Sequence, residues 1–174
     1  DSLNAVNYGY DTKGRLTTIT QGTGLDTRNY SITYDNLNQI TSITDPVVRS
    51  LSFAYDNAGR VTQKTLSDGR VINYSYDANG NVTSITPPSR PSHSFTYTPV
   101  DLEESYNPPD IGLTSDTTQY NYNLDKQLTL ITRPDAQTIS LNYDTGGRLS
   151  ALITPTGQTS YTYSTTTGNL SSIT

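Results

Sequence analysis

The side chains able to do chemistry in this 174-residue chain are few. His93 is the single imidazole, and there is no Cys. A nucleophilic triad needs an imidazole held between a hydroxyl and a carboxylate. No Ser here lies in such a motif, and His93 sits in Pro88-Ser-Arg-Pro-Ser-His93, the composition of a solvated turn. Metal sites rich in His or Cys are excluded by count. Asp77-Ala-Asn79-Gly80-Asn81 imitates the start of a calcium loop, but its twelfth position is Pro88 where a bidentate Glu is needed. Glycoside hydrolysis needs two poised acids in a cleft, whereas Asp11, Asp35, Asp56, Asp77 and Asp144 recur here at one repeat position. The expectation is a chain with no catalytic residue, no cofactor and no metal.

That repeat position belongs to a unit that recurs eight times. Its anchors are Tyr10, Tyr34, Tyr55, Tyr76, Tyr97, Tyr122, Tyr143 and Tyr163, spaced by 24, 21, 21, 21, 25, 21 and 20 residues. Two residues before each stands another large side chain: Tyr8, Ile32, Phe53, Tyr74, Phe95, Tyr120, Leu141 and Tyr161. A spacing of two puts each pair on one side of a strand. Turn chemistry follows, with Asp11, Asp35, Asp56, Asp77 and Asp144 each three residues before Gly14, Asn38, Gly59, Gly80 and Gly147. An Asp side chain accepts from backbone two residues on, and Gly or Asn tolerates positive φ. Arg15, Arg60 and Arg148 stand where they can pair with the turn Asp, a contact worth at most about 1 kcal/mol when exposed.

After the turn comes an aliphatic residue, as at Leu16, Ile40, Val61, Val82, Leu128 and Leu149, and usually a second three residues later. That offset breaks strict alternation. Either a β-bulge or burial on both faces would resolve it. A second turn closes the unit at Asp45-Pro46, Ser67-Asp68-Gly69, Pro87-Pro88, Arg133-Pro134-Asp135 and Pro155-Thr156-Gly157. The pattern predicts tandem hairpins of about 21 residues, stacked into an all-β antiparallel sheet because a lone hairpin is marginal in water. The anchoring Tyr residues are expected to form rows from unit to unit and supply much of the core, since the chain has 14 Tyr, two Phe and no Trp. Residues 98–118 interrupt the rhythm with the only two Glu and several Pro, and are expected to be an irregular excursion within one array spanning 1–174.

A net charge of −5 without a basic cluster argues against nucleic acid, and no apolar run is long enough to span a membrane. The open sheet edges invite pairing, with a second copy or with the rest of a longer chain. Rows of Tyr or the 98–118 segment leave a glycan as the alternative partner.

The heptads Tyr10-Asp-Thr-Lys-Gly-Arg-Leu16 and Tyr143-Asp-Thr-Gly-Gly-Arg-Leu149, with close variants at Tyr55–Val61 and Tyr76–Val82, resemble the YD repeat of Rhs-family proteins. The resemblance covers nearly the whole chain. It implies a strip of sheet that spirals into a hollow shell, as in bacterial Rhs proteins, Tc-type toxin complexes and teneurins. It further implies a secreted or cell-surface bacterial parent whose shell encloses a C-terminal toxic polypeptide, this chain being a fragment of the wall. Such shells end in a self-cleavage motif of Asp-Pro-x-Gly-Leu type. Asp110-Ile111-Gly112-Leu113 lacks the Pro, so cleavage is not carried over.

Overall fold

The computed structural model describes residues 5–110 and 116–174. Its elements are β1 (Val6–Tyr10), β2 (Leu16–Gln21), β3 (Arg28–Tyr34), β4 (Ile40–Thr44), β5 (Ser50–Tyr55), β6 (Val61–Thr65), β7 (Val71–Tyr76) and β8 (Val82–Thr86). They continue as β9 (His93–Tyr97), β10 (Glu103–Asn107), β11 (Thr118–Tyr122), β12 (Leu128–Thr132), β13 (Thr138–Tyr143), β14 (Leu149–Thr154), β15 (Gly157–Tyr163) and β16 (Leu170–Ile173). The strands form one sheet in chain order. A single 3-10 turn, Gly24–Asp26, is the only helical element among the described residues. Contacts divide the chain into two compact units, Asp1–Ser75 with Ile85–Arg90, and Tyr76–Ser84 with Pro91–Thr174.

Within each unit the hairpins share one construction. In the first, the Gly14 amide donates to the Asp11 carbonyl at 3.0 Å and the Asp11 amide donates to the Arg15 carbonyl at 2.9 Å. Tyr10 then pairs with Leu16, but Gly9 pairs with Thr18, leaving Thr17 without a partner across the strand. This is a β-bulge, and it resolves the offset of three: Tyr8 pairs with Ile19, so Leu16 and Ile19 both lie on the Tyr face. The same shift leaves out Thr41, Thr62, Glu104, Thr129, Ser150 and Ser171. At the opposite end of the strands the pairings β4–β5, β6–β7, β12–β13 and β14–β15 run without a shift. Every bulge therefore sits at the anchor end, where it bends its strand locally.

The register separates two faces. One carries Tyr8 opposite Ile19 and Ile19 opposite Tyr30, Ile32 opposite Ile43 and Ile43 opposite Leu51, and Tyr120 opposite Ile131 and Ile131 opposite Ile139. The other carries small hydroxyl and amide residues, joined by contacts such as Thr33 Oγ1 to Ser42 Oγ at 2.7 Å and Thr96 Oγ1 to Ser105 Oγ at 2.7 Å. Tyr8, Tyr120 and Tyr161 each meet an Ile across the strands, not another Tyr, because the second strand of each hairpin intervenes. The rows expected from the sequence are therefore mixed aromatic and aliphatic ladders.

Within the 98–118 segment, residues 98–110 are more regular than the sequence suggested. Thr98–Leu102 builds the same turn as the other units, with Asp101 donating to the Thr98 carbonyl at 3.0 Å. β10 then pairs with β9 and β11. The YD-like sequence signature is missing here, but Asp101 takes the left-handed position at φ +62°, so the backbone path survives. Residues 111–115, and with them most of the Asp110–Leu113 echo, lie outside the described residues.

Positive φ makes a direct test. Gly14 has φ +78° and nothing within 4 Å of a Cβ built there, so substitution probes the backbone alone. Gly14→Val is expected to destabilise the chain by about 1–2 kcal/mol and Gly14→Asn by clearly less, measured by urea unfolding.

Candidate functional site

The turn is organised by its first residue. Asp11 Oδ1 accepts from the Lys13 amide at 2.8 Å and the Arg15 amide at 3.0 Å, and Oδ2 accepts from Arg15 Nε at 2.7 Å. Asp56 repeats this with Ala58 and Arg60 at 2.9, 3.0 and 2.7 Å. Asp144 does so with Gly146 and Arg148 at 2.9, 3.0 and 2.8 Å. At Asp77 the partners are Asn79 and Asn81, and at Asp35 they are Leu37 and Gln39. The fourth position is left-handed throughout: Gly14 at φ +78°, Asn38 at +68°, Gly59 at +82°, Gly80 at +98° and Gly147 at +75°. Lys126 adopts it too, at +62°.

The fifth turn residue does more than pair with its own Asp. Arg15 Nη1 donates to Asn38 Oδ1 at 2.9 Å and to the Asp35 carbonyl at 3.2 Å, both in the next turn, while its guanidinium lies 4.5 Å over the Tyr34 ring. Arg148 likewise donates to the Gly168 carbonyl at 3.1 Å and lies 4.4 Å over Tyr163. Gln127 Nε2 donates to the Gly147 carbonyl at 2.7 Å, and Asn81 Nδ2 to Asp101 Oδ1 at 2.8 Å. A stacked, charge-assisted contact of this kind is stronger than an exposed ion pair. Sequence reasoning found the Asp–Arg pairs but missed this reach into the following unit.

The anchors tie the units a second way. Tyr34 Oη donates to the Leu16 carbonyl at 2.8 Å, and Tyr55 to that of Ile40 at 2.8 Å. Tyr97, Tyr122, Tyr143 and Tyr163 donate to the carbonyls of Val82, Glu103, Leu128 and Leu149 at 2.8 to 2.9 Å. Leu16, Ile40, Glu103, Leu128 and Leu149 are each the residue before the bulge of the preceding hairpin. Tyr34, Tyr55, Tyr76, Tyr97, Tyr122, Tyr143 and Tyr163 are half-buried, and Tyr10 is 62% exposed. Ala151 is the one buried hydrophobic among the described residues. The anchors thus line a packed face and are not enclosed in a two-layer core. Desolvation, with the Glu103 charge next, raises the hydroxyl pKa values of Tyr97, Tyr120 and Tyr122.

One junction is built differently. The fifth residue of the Thr98 turn is Leu102, which has no donor to offer the next turn. Between this turn and that of Asn123–Lys126 lies an open groove of about 790 Å³, lined among others by Thr96, Leu102, Glu104, Gln119, Asn121 and Leu124. Nearby, His93 lies on β9 and not in a solvated loop: its ring stacks on Tyr106 at 5.9 Å, with Nδ1 2.7 Å from the Tyr106 hydroxyl. Its partner comes from β10, within the segment whose sequence concealed a strand. Among the described residues no group of three or more His, Asp or Glu is placed to hold a metal ion, and no helix is long and apolar enough to cross a membrane.

An open antiparallel sheet of hairpins, tied turn to turn and carrying no assembled catalytic group among the described residues, is the architecture of a repeat wall. The Teneurin YD-shell family model matches residues 1–174, and the chain belongs to that family. No curated protein matches it. Its fold is similar to the TcdB2–TccC3 complex without its hypervariable C-terminal region, with a TM-score of 0.75 and 19% identity over 98% of this chain and 10% of that one. TcdB2–TccC3 itself gives 0.74 and 18% over 98% and 10%. The Photorhabdus luminescens Tc holotoxin pore gives 0.60 and 19% over 98% and 11%. This chain therefore spans about a tenth of the length of those solved chains.

Two outcomes test the ties. Arg148→Leu removes the Asp144, Tyr163 and Gly168 contacts together and is expected to cost about 1–2 kcal/mol. Arg148→Gln should recover part of that, since Gln127 makes the equivalent carbonyl contact; urea midpoints of both variants check this.

The turn carboxylates set the pH response. The Arg15, Arg49 and Arg60 amides hold Asp11, Asp45 and Asp56 below the usual carboxylate range. The Asn81 side chain does so for Asp77 and Asp101, and the Arg148 side chain for Asp144. A carboxylate titrating lower in the folded state stabilises it above the unfolded value of about 3.9, and that contribution is lost as pH falls through the folded value. Urea midpoints should therefore be level through the weakly acid range and fall below about pH 4.

Proposed function

We propose that this chain is a stretch of wall in a secreted YD shell whose parent encloses a C-terminal toxin or effector polypeptide. The observation that carries the reading is the tie from fifth turn residues to the next turn, as from Arg15 to Asn38 and Arg148 to Gly168. It commits these recurring turn side chains of the repeat to holding units in order. This chain spans about a tenth of the length of the solved chains it resembles, so the working partner is the remainder of the parent chain. β1 and β16 each have one strand neighbour and an unpaired edge through which it would continue.

A glycan- or surface-binding module is the second reading, favoured by the amide- and hydroxyl-lined groove beside Leu102. The Tyr anchors do not serve it, because their hydroxyls are engaged by neighbouring carbonyls.

Limited proteolysis of the full-length parent decides. Enclosure predicts a C-terminal polypeptide resistant to protease until Arg15→Leu, Arg60→Leu and Arg148→Leu are combined in the wall. A cargo digested equally fast with or without those changes would overturn enclosure. Glycan-array binding abolished by Gln119→Ala and Asn121→Ala would instead favour the second reading.

A further inference from the structure

The chain contains one Asn-Gly step, Asn79-Gly80; every other Asn is followed by a residue that carries a Cβ. Asn79 is exposed at the third position of its turn, and Gly80 holds φ +98°. A following Gly leaves its peptide nitrogen unshielded, which permits a close approach that a side chain would block. Asn is among the thermally labile residues for this reason. We propose that Asn79 is a site of spontaneous deamidation, and that its conversion loosens the tie between the Asp77 turn and the Thr98 turn.

The chemistry needs only water. The Gly80 nitrogen, giving up its proton to solvent, attacks Asn79 Cγ; the Cγ–Nδ2 bond breaks and ammonia leaves. Water then opens the five-membered imide at either carbonyl. One product is aspartate; the other is isoaspartate, in which the main chain runs through the former side-chain carbon.

The structure gives this reaction a target. Asn79 Nδ2 and Asn81 Nδ2 each donate to Asp101 Oδ1 at 2.8 Å, and Asn81 Nδ2 also donates to Asp77 Oδ2 at 3.0 Å. Conversion removes one of the two donors on Asp101 and puts a third carboxylate beside Asp77 and Asp101. Repulsion between such exposed charges is modest and screened by salt, so the lost donor matters more. The isoaspartate product additionally lengthens the backbone immediately before Gly80, whose left-handed conformation closes the turn. The Gly80 amide donates to the Asp77 carbonyl at 3.2 Å, so the native turn restrains the attacking nitrogen and conversion should be slower folded than unfolded.

Incubating the chain at mildly alkaline pH, folded and in urea, and mapping its peptides by mass spectrometry tests the site. The expected result is acid at position 79 accumulating several-fold faster than at any other Asn in both states, with isoaspartate detected by enzymatic methylation. Asn79→Gln, which disfavours the five-membered ring, should abolish the signal. An amide at 79 that persists while other Asn residues convert would overturn the site. The consequence is read on Asn79→Asp by hydrogen exchange, which should be several-fold faster at 98–102 than in the parent and unchanged at 144–148. Equal exchange at 98–102 would overturn the loosening.

Discussion

A single sheet with one apolar face has no second layer to press against, so what holds one hairpin to the next must act along the sheet. Two kinds of side-chain contact do this. The anchor Tyr hydroxyl reaches back to the carbonyl that precedes the bulge, as Tyr143 does to Leu128. The fifth turn residue reaches forward, as Arg15 does to Asn38. Both groups would otherwise be polar atoms at the margin of an apolar surface, where an unpaired donor is costly. Placed as they are, they satisfy orphan carbonyls and set the spacing between units at once.

The bulge makes the backward contact available. Without the extra residue, Leu16 and Ile19 would point to opposite faces and half of the aliphatic ladder would be lost to the polar side. With it, both meet the Tyr face. The bulge residue is Thr or Ser in six of the seven hairpins where the register is seen, and at Thr17 and Thr129 its hydroxyl donates to a carbonyl across the hairpin at 3.2 and 3.1 Å. A residue without a strand partner gains from carrying its own donor. Glu104 is the exception, and it lines the groove beside the junction that also lacks its turn tie.

The sequence was most legible where causes are local. Asp11 and Gly14 are three residues apart and close one turn, so their types alone specify the backbone. The bulge was half legible: an offset of three demanded some irregularity, and only the pairing of Gly9 with Thr18 shows which. The ties were not legible, because Arg15 and Asn38 are separated by 23 positions and nothing in either residue names the other. The strand β10 was hidden for a related reason. Its turn replaces Asp and Gly with Thr98 and Asp101, yet the neighbouring strands impose the same path, and a left-handed Asp is tolerable there. His93 was misplaced as a consequence, since its partner Tyr106 lies on that strand.

Stability in such a structure is nearest-neighbour in kind, a sum over hairpins and the junctions between them. Its weak points are then local and depend on which residue stands at the fifth turn position. Arg supplies an ion pair, a ring contact and a carbonyl contact; Gln and Asn supply hydrogen bonds; Leu102 supplies none of these. The order of these residues along the array grades its junctions, and a groove opens beside Leu102, where that side chain offers no tie. A repeat assembled on this principle can vary one junction without disturbing those on either side.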